Sequence, residues 1–70
     1  MNAIAEKNPY YKLKSLIEQN GFTQSEVAEK IDMDRSTFSL KINRKNGRDF
    51  TFAEAIEIAE VLDTTISNFF

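Results

Sequence analysis

Along the chain the apolar residues return at three- and four-residue intervals and never in sustained alternation, so helices are predicted and strands are not. The first run carries Leu13, Leu16 and Ile17. Asn8 before Pro9 reads as an N-cap with proline at the first helical position, and Gly21 reads as the stop. A second run begins at Thr23. Its hydroxyl and the carboxylate of Glu26 have capping-box spacing, in which each side chain satisfies an orphan backbone N–H at the other's position. Phe22, just upstream, is placed to staple onto Val27, and this helix extends to about Ile31. Asp32 and Met33 form a corner. Asp34 then caps a third helix whose buried residues, Phe38 and Ile42, lie one turn apart and which ends near Asn43.

From Arg44 to Asp49 there is no apolar residue, and Asn46-Gly47 is a turn dipeptide, so a solvated loop is expected. Thr51 and Glu54 repeat the capping-box spacing, with Phe50 before them. Phe52, Ala55, Ile56, Ala59 and Leu62 supply the apolar face of a fourth helix. Thr65 can cap one last helical turn from which Ile66, Phe69 and Phe70 fold back onto the core. The expected class is all-α: one domain over residues 9–70 after a tail at 1–8.

Composition narrows the chemistry. A chain of 70 residues supports one domain, and at this size about 60% of the unfolded surface is buried on folding. With no cysteine and no histidine there is no disulfide framework, no material for the usual zinc sites and no His-based triad. No cofactor is expected. The carboxylates read as helix caps and solvent-facing charges, so an enzyme is not expected either. No stretch has the apolar length of a signal-peptide core or a membrane span, which points to a cytoplasmic protein without a membrane partner.

The net charge of −2 hides an asymmetry that changes the picture. Arg35, Lys41, Arg44, Lys45 and Arg48 fall in a stretch with no acidic residue, and Asp49, Glu54, Glu57, Glu60 and Asp63 in one with no basic residue. Since charges beyond roughly 8 Å are screened at physiological salt, a phosphate backbone meets the near, basic edge and not the molecule's net charge.

These residues together resemble the Cro and lambda-repressor-like helix-turn-helix (XRE-type) family, over about Tyr11 to Phe70. The likeness rests on Gln24 opening helix two, Ala28 four residues on, Ile31 before the corner, Phe38 in the third helix, and the ending "AEVLDTTISNFF". Within the family it looks like the small temperate-phage regulators, of Cro type or of the antirepressor type that binds a repressor. The resemblance implies a compact five-helix lambda-repressor-like fold with the helix-turn-helix at helices two and three, and a transcriptional regulator binding double-stranded operator DNA. It implies that Gln24 caps helix two against a phosphate, and that Arg35, Ser36 and Ser39 face the major groove. Arg35 would match the acceptors of guanine. Lys41, Asn43, Lys45, Asn46 and Arg48 complete the expected DNA-binding set, mostly as backbone contacts. Four to six phosphate contacts per unit would make log K fall against log salt with a slope of about −4 to −5.

Two departures keep a second reading open. The corner position, usually glycine in the family, is Asp32, and with Asp34 it places two carboxylates beside the expected phosphate path. Leu40 is an apolar residue on the helix side away from Phe38. An antirepressor would use Arg35, Ser39 and Leu40 to grip a partner repressor protein. A weak homodimer is the third partner left open, since one helix-turn-helix reads one half-site.

Overall fold

In the computed structural model, residues 7–70 are described; residues 1–6, most of the expected tail, lie outside them. Among the described residues the fold is all-helical: α1 (Tyr11–Gln19), α2 (Gln24–Lys30), α3 (Arg35–Ile42) and α4 (Phe52–Val61), with single 3-10 turns at Lys45–Gly47 and Ile66–Asn68. The expected fifth helix is therefore only a turn. Its buried positions explain this: Ile66 and Phe69, three residues apart, both pack inward, and a 3-10 turn aligns residues at that spacing on one side. The Thr65 side chain accepts from no backbone N–H of the turn, and its hydroxyl instead lies 3.1 Å from that of Ser67.

Both expected capping boxes form. Thr23 with Glu26 opens α2, Thr51 with Glu54 opens α4, and Asp34 caps α3 by accepting from the N–H groups of Ser36 and Thr37. Asn8 caps nothing. Helix α1 starts at Tyr11, two residues later than expected, because Tyr10 is committed elsewhere. Its N–H donates to Ile42 O at 2.9 Å and its ring packs 5.6 Å from that of Phe50. Tyr10 thereby closes α1 onto the end of α3.

The helix ends share one device, a residue in the left-handed region just past the C-cap: Gly21, Asp32, Arg44 and Asp63, with φ between 53° and 78°. After α1, α2 and α4 the paired Schellman bonds are present, as in Asp32 N–H to Glu29 O and Met33 N–H to Ala28 O. After α3 only the Arg44 N–H to Lys41 O bond of that pair is seen. Only one of the four positions is glycine, so three side chains bear a conformation that costs an L-residue about 1–2 kcal/mol.

The core gathers Leu13 and Ile17 of α1, Val27 and Ala28 of α2, Phe38 and Ile42 of α3, and Phe50 and Phe69 from the connecting segments. From α4 and its C-cap it takes Ala55, Ile58, Ala59 and Leu62, a stripe at helical spacing. This corrects the expected face of α4: Phe52 and Ile56 stand 61% and 40% exposed, and Ile58 takes the buried place.

Candidate nucleic-acid interface

Helices α2 and α3 make the motif, and their angle follows from what sits between them. Ala28 is 1% exposed, a methyl group where a longer side chain would force the helices apart, and Val27, Phe38 and Ile42 are fully buried around it. Asp32 makes the corner at φ 58°, the left-handed geometry that aspartate tolerates better than most residues. Met33 then packs against the core, as Phe22 does after α1. With Phe38 and Ile42 turned inward, α3 shows solvent its remaining sides.

Arg35, Ser36 and Ser39 are exposed and lie within about 100° of one another around α3 by helical spacing. Arg35 has no carboxylate within salt-bridge reach among the described residues: Asp34 is turned to the N–H groups it caps. Leu40 is half-buried and outside the core cluster. Gln24, the first residue of α2, is half-buried and lines a surface hollow with Lys14, Ser15 and Thr23.

The basic run is smaller in space than in sequence. Lys41 Nζ donates to both carboxylate oxygens of Glu54, at 2.9 and 2.8 Å. Burial works against the ionised Glu54, but the bonds from Lys41 and from the Thr51 N–H outweigh it and hold its pKa below the ordinary value. Arg44 is likewise bound to Asp49 at 3.0 Å, with its guanidinium 4.6 Å from the Tyr10 ring centre. That leaves Arg35, Lys45 and Arg48 exposed and unpaired by carboxylates among the described residues. Glu54 and Asp49 are spent in the same pairs, so both the positive edge and the negative back shrink together.

The loop carrying Lys45, Asn46 and Arg48 is not simply solvated. Arg44, Asn46 and Gly47 all have positive φ, and the loop is pinned at both ends. At one end Asn43 accepts from Lys14 Nζ at 2.6 Å and donates to Ser39 O at 2.9 Å. At the other, Asp49 accepts from the Tyr10 hydroxyl, from Arg44 and from the Phe50 N–H. Desolvation alone would raise the Asp49 pKa, and these three donors bring it below its usual value. The same contact, added to burial, pushes Tyr10 up to about 12. Tyr10, Lys14 and Asp49 were not among the expected site residues; their role depends on contacts across up to 39 residues of chain.

The family model for the Cro/C1-type HTH DNA-binding domain matches residues 12–70. The chain belongs to that family. The Cro/C1-type match spans both helices of the motif, the pinned loop and α4. No curated protein and no solved structure matches the chain well enough to add a more specific relative. Within the Cro/C1-type fold the described residues include no helix long and apolar enough to cross a membrane.

Proposed function

We propose that this Cro/C1-type domain is a transcription regulator that reads operator DNA by inserting α3 into the major groove, with residues 9–70 as the binding unit. The observation that carries the reading is the unpaired, exposed Arg35 at the start of a helix whose opposite side is locked by Phe38 and Ile42. Arg35 reads a guanine edge, with Ser36 and Ser39 beside it. Gln24 at the start of α2, and Lys45, Asn46 and Arg48 in the pinned loop, hold phosphates and fix register. Asn43 serves mainly to set the loop's angle, since its amide already bonds Lys14 and Ser39. Lys41 contributes little net charge because Glu54 neutralises it.

The test is a gel-shift titration across salt with DNA enriched from a random pool. The two unpaired cations placed on phosphates, Lys45 and Arg48, imply a slope of log K against log salt of about −2 per bound unit, shallower than a full count of the basic run suggests. A slope near zero, or no enrichment, refutes it.

Leu40 and the two exposed corner carboxylates favour one second reading, an antirepressor that grips a partner helix-turn-helix repressor through Arg35, Ser39 and Leu40. Leu40→Ala separates the two: it abolishes a protein complex and barely alters a DNA complex.

A further inference from the structure

Both glycines of the chain follow asparagine, at Asn20-Gly21 and at Asn46-Gly47, and all four residues are exposed. A glycine leaves its own nitrogen open to the side chain before it, so each pair is a place where an asparagine amide can be lost. The fold treats the two differently. At the end of α1, Asn20 Nδ2 donates to Leu16 O at 2.8 Å and the Gly21 N–H donates to Glu18 O at 2.9 Å, so both reacting groups are tethered. In the loop after α3 the side-chain bonds are made by Asn43, Arg44 and Asp49, and Asn46 takes part in none of them. Asn46 stands at φ 54°, ψ 36°, in the left-handed region that strains an L-residue. That ψ sets the Gly47 nitrogen on the far side of the Cα–C bond from the Asn46 side chain, so the two meet only when the turn opens. Opening gives up one backbone bond, Arg48 N–H to Lys45 O at 2.9 Å, and no buried contact, since Lys45 to Arg48 are all exposed. Nothing lies within 4 Å of where a Cβ on Gly47 would sit, and the pins at Asn43 and Asp49 fall outside the pair.

We propose that Asn46 is a modification site, converted by its own chain to a carboxylate that loosens the loop's hold on phosphate as the molecule ages. The Gly47 nitrogen, giving up its proton, attacks Asn46 Cγ. The N–Cγ bond forms, the Cγ–Nδ2 bond breaks, and Nδ2 leaves with that proton as ammonia, closing a succinimide ring. Water then opens the ring, its hydroxyl adding to a carbonyl carbon and its remaining hydrogen returning to the Gly47 nitrogen. Addition at Cγ gives aspartate. Addition at the main-chain carbonyl carbon gives isoaspartate, which lengthens the backbone by a methylene and does not restore the turn. Water is the sole co-reactant and no electron changes hands. Either product puts a negative charge one residue from Lys45 and two from Arg48, the exposed cations assigned to phosphate. At that separation the charges lie well within the roughly 8 Å over which they act at physiological salt. The loss of binding rests on the DNA-reading function; the conversion itself does not.

The experiment is incubation of the full chain without DNA at neutral pH and physiological temperature, in parallel with the same chain in urea. Proteolytic mapping with mass spectrometry that separates aspartate from isoaspartate follows each site. In urea both Asn-Gly pairs should convert at similar rates. In the native chain Asn46 should convert at least about fivefold faster than Asn20, where two hydrogen bonds must break first, and faster still as pH rises, because the attacking nitrogen must lose its proton. No conversion at Asn46 while the urea sample converts, or conversion at Asn20 as fast as at Asn46, overturns the proposal. Asn46→Asp carries the product's charge, and aspartate tolerates the left-handed region, as Asp32 and Asp63 do in this fold. It should remove the conversion at that position and weaken DNA binding several-fold at low salt, by a margin that shrinks as salt rises. Unchanged binding by this variant overturns the effect on phosphate. Failure of fresh wild type to bind DNA counts against the DNA reading alone and leaves the conversion rates standing.

Discussion

Replacing Tyr10 with phenylalanine removes one oxygen and keeps the ring between Phe50 and Phe70. Asp49 then loses one of its three donors and retains the Phe50 N–H and Arg44. A hydrogen bond to a charged group is worth about 1.5–3 kcal/mol. Because the Asp49 side chain is 33% exposed, water makes good part of that loss, and about 1–1.5 kcal/mol is expected after screening. For a domain of this size that is a fall in melting temperature of roughly 5–10 °C. The alkaline limb supplies an independent signature. Tyr10 is raised from 10.0 to about 12, chiefly by burial and then by Asp49, so the native state keeps a proton that the unfolded chain releases. Its contribution is intact below pH 10 and is lost as pH rises toward 12. The diagnostic quantity is the difference between the two proteins. Thermal melts from pH 7 to 12 should show wild type ahead at neutral pH and the gap closing above pH 10. Equal melting temperatures at neutral pH with parallel alkaline profiles would refute the clamp.

Other expectations follow from single contacts. Ala28→Leu overfills the α2–α3 crossing and should cost at least about 1–3 kcal/mol, seen as a lowered urea midpoint; an unchanged midpoint would mean the helices are not held there. Asp63→Gly relieves a left-handed residue at the end of α4. Relief of about 1–2 kcal/mol against a glycine entropy cost of about 0.5–1 kcal/mol predicts a small gain in melting temperature. Asp49 and Glu54 both have lowered pKa values, so their contribution is present above the unfolded carboxylate range and lost as pH falls through the lower native values. Melting temperature should be flat from pH 7 to about 5 and drop below about 4, and Asp49→Asn with Glu54→Gln should flatten the drop. Asp32→Gly removes a carboxylate from the corner and should tighten DNA binding several-fold at low salt, with the gain shrinking as salt rises.

Where the sequence was legible, the signal was short in range. The capping boxes at Thr23 and Thr51 and the Asp34 cap are set within three residues, and all three form. The buried roles of Phe38 and Ile42 follow from helical spacing, whereas the burial of Ala28 and the exposure of Arg35, Ser36 and Ser39 are implied by the family resemblance. What escaped depended on distant partners. Asn8-Pro9 looks like a helix start, yet the Tyr10 bond to Ile42 decides where α1 begins. On α4 the apolar positions outnumber those one face can bury, and only the placement of the other helices selects Ile58 over Phe52 and Ile56. The basic run was legible as charge, but the pairing of Lys41 with Glu54 and Arg44 with Asp49, which removes two of its five free cations, needed the folded α3–loop–α4 segment.

The most direct measurement is selection of bound sequences from a random DNA pool with wild-type protein and with Arg35→Ala, both at fixed salt. Wild type should yield a defined motif containing a guanine at which the variant loses about 1–3 kcal/mol of discrimination while the rest of the motif persists. An identical motif from both proteins, or none from wild type, would contradict the reading of DNA through Arg35.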